Sequence, residues 1–333
     1  MLACDVVKWF GLSGGMMKAA KPITQALTFQ NQWYELRRSL LDSCFGERQS
    51  SSPFEEEYPL VLSPAHPYYS RCILSADHRC MAAHLNVLPR TLSVHHIPKS
   101  VHIGLIGNVC THQDYRGQGL QRLLFESLEA WGLRLEIASW LLWTSIPAFF
   151  EKLGFVRSGC ERRYTIHASR LPRLQGACEV YRVPADYSEP LLLHNTMLNL
   201  RPETKYTVVR SARETQMLLQ IPETYAFVSI SGGETAAFAV LGRGRDFQGV
   251  VHEWGFHHPE AFSAILQHIL EVTGWSSLQL IAPARMSSLY QDYFVNIGAG
   301  LSRAFMAMTR PCTRVRQPLI DWDDCFIWGL DSI

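Results

Sequence analysis

Between residues 30 and 45 (QNQWYELRRSLLDSCF) apolar side chains recur every three or four positions. Trp33, Leu36, Leu40, Leu41 and Cys44 fall on one stripe, which predicts an amphipathic helix. A Ser/Glu-rich stretch at 47–57 predicts a loop. The pattern then becomes strand-like. Residues 70–75 and 80–87 read as strands joined by a turn at Ala76-Asp77-His78-Arg79, and 101–109 (VHIGLIGNV) as another. After the loop TxxxYRGQG a helix is predicted over 120–131, with Leu120, Leu123, Leu124, Leu128 and Trp131 on one side. A strand at 137–143, a short helix at 147–152 with Pro147 in its first turn, and a strand pair or bent strand at 154–166 complete this half.

Residues 170–176, rich in Pro, Arg and Gln without periodicity, read as a linker. Beyond it the order recurs. A helix at 212–219 leads to strands at 225–230 and 235–241 around a Gly232-Gly233 turn. Then follow a strand at 250–256, a helix at 260–273, a strand at 277–282, a helix at 285–296 and a strand at 301–309. The halves share an order of elements without obvious identity, which predicts a structural duplication within an α/β (α+β) fold. The expected division is a lead segment at 1–27, one domain at 28–170 and a second at 171–333.

Composition narrows the function. A chain of 333 residues suits about two domains at ~150 residues each. With 47% hydrophobic and 18% charged residues it can build sizeable cores. The balance of 31 basic and 30 acidic side chains gives +1, which argues against a dedicated nucleic-acid binder. Nine scattered cysteines without a C-x-x-C pair point to reduced thiols rather than a disulfide framework or zinc ribbon. The longest apolar stretch, 138–150, falls short of the ~20 residues that span a bilayer, and Asp5 and Lys8 interrupt the apolar N-terminus. Met16 or Met17 is an alternative start. A cytoplasmic monomer or homodimer without membrane or nucleic-acid partners is expected.

The segment that carries chemistry is Arg116-Gly117-Gln118-Gly119, between a predicted strand and a predicted helix. Two glycines allow a sharp turn and close approach of a ligand. The first amides of the following helix lack intrahelical partners and lie at its positive dipole end. Together with Arg116 they form a cradle for phosphate. A dinucleotide G-x-G-x-x-G fails at Arg122, and a P-loop fails for want of Gly-Lys-Ser/Thr. A plain strand-to-helix turn with packing glycines is the alternative.

This region resembles the GNAT superfamily of acyl-CoA-dependent N-acyltransferases, whose phosphate loop reads Gln/Arg-x-x-Gly-x-Gly/Ala. Arg116, Gly119 and Gln121 occupy its positions, Gln121 replacing a small residue. Residues 148–155 (AFFEKLGF) resemble the second signature, A-x-x-Y-x-K-x-G-F. The resemblance covers about 60–164, and the repeated order resembles a tandem member with two GNAT-like domains, each a mixed, mostly antiparallel sheet flanked by helices. Gly242 to Asp246 precedes a strand rather than a helix, so the second half is expected not to bind CoA.

The resemblance implies acetyl-CoA, or another acyl-CoA, as donor and no metal. Strand 101–109 would be splayed from strand 137–143, with pantetheine pairing along Val109, Cys110 and Thr111 and a backbone amide near Val109 stabilising the oxyanion. The pyrophosphate would lie on Arg116, Gly117, Gln118, Gly119, Leu120 and Gln121, with Ser145 and Phe149 also at the cofactor. The family's general-acid tyrosine is Phe150 here. Either Tyr115, Ser145 or water serves, or the thiolate leaves unassisted, or the protein binds without turnover. Two candidates exist for the base. Glu253, in His252-Glu253-Trp254, is either a clamp in a pocket between the halves or part of a satisfied buried pair or solvent-facing edge. Ile333 ends an apolar tail expected to dock, and some tandem members use a terminal carboxylate.

Other signals point to structure. His95-His96 and His257-His258 lack H-E-x-x-H spacing, and Cys110 reads as a small buried thiol rather than a nucleophile. The leading expectation is an N-acyltransferase acting by direct attack on a small-molecule amine, an amino acid or a peptide N-terminus. A non-catalytic acyl-CoA-binding regulator competes with it. An aminoacyl-transferring relative is disfavoured, because the CoA loop would be unnecessary there.

Overall fold

A computed structural model describes residues 25–46, 53–172, 178–312 and 320–333. In the first half, β1 (Leu27–Thr28) precedes α1 (Tyr34–Phe45), which a 3-10 turn at Asn31–Trp33 opens. Two short helices follow, α2 (Phe54–Glu57) and α3 (Pro59–Leu62), so the stretch expected as a loop to 57 ends helically. Then come β2 (Ser70–Leu74), β3 (Met81–Val94), β4 (Ser100–Thr111), α4 (Leu120–Arg134), β5 (Ile137–Leu142), α5 (Pro147–Glu151) and β6 (Val156–His167). The expected lead segment lies outside the described residues up to 24, as do 173–177 of the expected linker.

The second half contains β7 (Glu179–Arg182), α6 (Pro190–Leu200), β8 (Tyr206–Val208), α7 (Ala212–Leu219), β9 (Tyr225–Ser231) and β10 (Glu234–Leu241). It closes with β11 (Val250–Phe256), α8 (Pro259–Thr273), β12 (Ser277–Pro283), α9 (Ser288–Asn296) and β13 (Gly300–Pro311). Helix α6 was not foreseen. Its leucines crowd at Leu191, Leu192 and Leu193, but only Leu193, His194, Met197 and Leu200 turn inward, at helical spacing. A capping box at Ser211 and Glu214 starts α7 where the sequence predicts.

The fold is mixed α/β, with one mostly antiparallel sheet flanked by helices, in the order β1-β2-β3-β4-β5-β13-β6-β12-β11-β10-β9-β7 with β8 on β3. The parallel pairs are β4 with β5 and β11 with β12, one in each half. The halves exchange strands at the centre. β13 of the second half inserts between β5 and β6, and β6 of the first reaches β12 over Glu161 to His167.

The core lies on both faces of this sheet. One cluster, under α4 and α5, holds Leu120, Leu124, Phe125, Leu128 and Trp140. Burying each such side chain stabilises by about 1.5–3 kcal/mol. Trp140 fits between strand and helix because its neighbours are glycines. A Cβ on Gly104 or Gly132 would come within 2.4 or 2.6 Å of the indole. The larger cluster runs across the other face through both halves.

Candidate active site

The parallel register of β4 and β5 runs from His102 opposite Ile137 to Leu105 opposite Leu141 and then stops. β4 continues to Thr111 without a strand on that side. Its bend has a local cause: the register with β3 shifts between His84 and Asn86, and Asn108 and Val109 fall in the bulge. Asn108 takes φ +48°, which asparagine tolerates better than most side chains. The result is an edge of β4 at Val109, Cys110 and Thr111 that has no strand paired to it beyond the last β4–β5 pair, referred to below as the V.

At the mouth of the V lies the glycine loop. The ring nitrogen of His112 accepts from the Asp114 amide at 3.3 Å, starting the turn Gln113–Tyr115. Gly117 and Gly119 have φ of +76° and +74°, and a Cβ on either would meet nothing within 4 Å. Backbone conformation, not crowding, is what requires glycine there. Gly119 caps α4, whose first amides open toward the exposed loop. Arg116 donates from Nε to the Thr111 carbonyl at 3.3 Å and remains exposed.

Gln121 turns away from this cradle. Its Nε2 donates to the Cys110 carbonyl at 2.6 Å and to Thr111 Oγ1 at 3.0 Å. The residue that departs from the family's small side chain therefore leaves the loop clear and pins the end of β4. Cys44, on α1, approaches the Thr111 carbonyl at 3.7 Å. Its thiol is pulled down to about 6, chiefly by the Cys110 thiol and further by Ser43 and Arg116, against the cost of burial. Burial pushes the Cys110 thiol well up, so it stays protonated and is no nucleophile.

On the other face of β4 the chain's last residues arrive. Phe326, Trp328, Leu330, Asp331 and Ser332 are buried, and Arg243 Nη2 donates to the Ser332 carbonyl at 2.7 Å. This delivers Ile333 to Gly107, where a Cβ would come within 3.1 Å of the Ile333 carboxyl carbon. Asn86 Oδ1 is 3.2 Å from the same point.

Glu253 is placed differently from a clamp in an open pocket. It is fully buried, and Arg210 donates to both its oxygens, at 2.7 and 3.2 Å. Arg201 adds a contact at 3.6 Å. The same Arg210 reaches Asp331 at 3.4 Å. Burial pulls the Arg210 pKa down, but Asp331 and Glu253 outweigh it and hold it above its ordinary value. Burial pushes the Asp331 carboxyl up, aided by the Glu253 charge and opposed by Arg210, Arg90 and Arg201. Glu253 thus anchors the arginine that faces the tail, two residues from Ile333.

Tyr115 is also buried, in the cluster with Leu120 and Leu124, and burial raises its phenol, with Cys80, Ser75 and Asp77 facing it. It points into the core instead of the V. Phe150 packs edge-on against Phe125 and Phe155, ring centroids 6.1 Å away in each case, while Phe149 is exposed beside it. Ser145 lies in the connection between β5 and α5. Among the described residues no group of three or more His, Cys, Asp or Glu could hold a metal ion.

Two residues escaped sequence reasoning. His84 and Asn86 alternate along a strand read as plain sheet interior, and both are fully buried facing α1. Polar residues at i and i+2 in an otherwise apolar strand were the available signal. His84 Nδ1 lies 3.2 Å from the Asn108 carbonyl, and burial, aided by Arg37, pushes the imidazole down to about 3.

Residues 30–157 match the acetyltransferase (GNAT) domain family. No curated protein matches the chain in sequence. Among solved structures it resembles a conserved protein of unknown function from Enterococcus faecalis V583, a probable N-acyltransferase, with TM-score 0.68 and 16% identity over 87% of this chain and 72% of that one. A GCN5-related N-acetyltransferase from Anabaena variabilis ATCC 29413 gives 0.60 and 15% over 87% and 73%. Eis1 from Mycobacterium abscessus gives 0.56 and 12% over 86% and 74%. At these identities the likeness is one of fold, and it extends over both halves. The unpaired β4 edge and the glycine loop both lie within residues 30–157, the stretch that matches the GNAT acetyltransferase domain family.

Proposed function

We propose that the protein transfers an acyl group from acetyl-CoA or another acyl-CoA to a primary amine. The observation that carries this reading is the V between β4 and β5 with the open Gly117/Gly119 cradle at its mouth. A thioester with a pantetheine arm and a pyrophosphate fits that pairing of an unpartnered backbone edge with a phosphate cradle. Val109, Cys110 and Thr111 would hold the arm, and Arg116 with the 117–121 backbone the pyrophosphate. Ser145 and Phe149 would line the β5 side. The Val109 amide would stabilise the developing oxyanion.

An amine with a solution pKa near ~10 must lose a proton before attack, and the departing thiolate must gain one. The Ile333 carboxyl, against Gly107, is the group we assign to take the first proton. With Phe150 in the aromatic core and Tyr115 turned from the V, the same carboxyl can return that proton. The two halves would be GNAT-like units at 28–170 and 171–333 that exchange their last strands. Only the first would bind the donor. In the second, the connection from β11 to α8 is His257-His258 before Pro259, without glycine.

Calorimetry with acetyl-CoA, then thiol release across a panel of amines, tests the reading. Binding that Arg116→Ala weakens, with turnover on at least one amine, supports it. Tight binding without turnover on any amine would leave a non-catalytic acyl-CoA binder, and no binding would remove both.

A further inference from the structure

On the α1 face of the sheet two rows of residues cross β2, β3 and β4. Ser70 stands opposite Asn86 and Asn86 opposite Gly107, while Cys72 stands opposite His84 and His84 opposite Cys110. Directly opposed residues share a face, so these side chains form one patch beside the point where Ile333 arrives. Helix α1 packs over it and contributes Arg37. Arg37, Ser70, His84 and Asn86 are all fully buried.

Their polar atoms are largely unmatched. Arg37 donates from Nη2 to the Leu62 carbonyl at 2.7 Å, while Nε and Nη1 have no partner. Its guanidinium lies 4.2 Å from the Phe29 ring centroid, and the carboxylate whose charge acts on it is Glu55, both of whose oxygens are buried without a hydrogen bond. Ser70 Oγ, Asn86 Nδ2 and His84 Nε2 are likewise unpartnered. A buried guanidinium whose carboxylate neighbour accepts none of its hydrogen bonds is costly, and so is each unmet donor. The histidine differs from the others. Its Nδ1 faces the Asn108 carbonyl, which places the proton there and leaves Nε2 a lone pair.

The patch therefore offers one fixed positive charge and several unmet donors, with His84 Nε2 as its unmet ring acceptor. Its chemical complement is an anion joined to an amine. We infer that Arg37, Ser70 and Asn86 bind the carboxylate of the acceptor, so that the acceptor class is an amino acid rather than a simple amine or a peptide N-terminus. His84 Nε2 accepts a hydrogen bond from the amine, which is directed toward Gly107 and Ile333. This rests on the acyltransfer reading for the amine's fate, but carboxylate binding itself does not.

Two measurements test it separately. Without acyl donor, thermal unfolding is followed with α- and ω-amino acids and with the corresponding decarboxylated amines. Midpoints that rise with amino acids only, and in Arg37→Met no longer do, are expected. Equal shifts from both ligand sets, or none, overturn the carboxylate site whatever the protein's activity. With saturating acetyl-CoA, kcat/KM for an amino acid should exceed that for its decarboxylated amine by about 100-fold or more. Arg37→Met should abolish this preference while acetyl-CoA binding stays unchanged, with partial recovery in Arg37→Lys. Equal loss on both substrates would make Arg37 merely structural and overturn the inference. Should Arg37→Met fail to fold, Ser70→Ala must still narrow the preference, and an unchanged preference counts against the site.

Discussion

Gly107 and Ile333 touch across the face of β4: a single added methyl on the glycine would come within 3.1 Å of both the Ile333 carboxyl carbon and its Cγ1. Asn86 Oδ1 closes the same space at 3.2 Å. No large group can yield there without moving the end of the chain.

Gly107→Ala should therefore displace Ile333 and act on turnover more than on donor binding. Overpacking of this kind costs about 1–3 kcal/mol. We expect kcat to fall at least tenfold with the calorimetric acetyl-CoA affinity unchanged. Deleting residues 331–333 should do the same, and full turnover in that variant would remove Ile333 from the mechanism.

Arg210 stands between two buried carboxylates, Glu253 and Asp331. Arg210→Met removes the cation in contact with Asp331 and leaves Glu253 only Arg201 at 3.6 Å, and a loss of about 3–5 kcal/mol in denaturant unfolding is expected. Replacing all three, Arg210→Met with Glu253→Leu and Asp331→Leu, should restore most of that stability. It should not restore turnover if the network's purpose is to seat the tail.

The end of β4 depends on Gln121. Gln121→Ala removes donors to the Cys110 carbonyl and Thr111 Oγ1, at an expected cost of about 1–3 kcal/mol. Because those residues edge the V, acetyl-CoA affinity should weaken together with stability. Arg116→Ala, on an exposed side chain, should weaken acetyl-CoA binding about tenfold and leave the thermal midpoint in place. An Arg116→Ala midpoint shift as large as that of Gln121→Ala would contradict the distinction.

His84 and His252 are both fully buried and both pushed from 6.5 down to about 3, principally by burial. The unfolded chain takes up their protons below about 6.5, while the folded chain holds them off until about 3. Their contribution is thus complete above 6.5 and declines as pH falls through that window, at roughly 1.4 kcal/mol per pH unit for each histidine. Stability measured from pH 7 to 4 should drop steeply, and His252→Gln should flatten the slope. An unchanged slope in that variant would exclude His252 as a contributor.

Much of the fold was legible along the chain. The loop at 116–121 announced itself because glycine conformation, helix start and phosphate chemistry are all local properties. The helix at 212–219 and the strand at 250–256 stand where they were expected, the first opened by a local capping box and the second carrying His252 and Glu253 among apolar residues. Helix α6 was not legible, since three consecutive leucines hide the helical period that its buried residues keep. Glu253 showed only as a charge in an apolar strand. Its partners, Arg210 and Arg201, come from the chain between α6 and α7, and no spacing rule links them to β11.

The amino-acid order by itself marked most of the elements, though not α6, and where phosphate chemistry is possible, because helix periodicity, strand alternation and glycine backbone freedom act over a few residues. Tertiary structure alone decided that β6 and β13 interleave, that Ile333 ends against Gly107 and that Arg37 is buried near His84 with two unmet nitrogens. Those relations join residues far apart in the chain, and strand pairing and close packing fix them only when the whole sheet assembles.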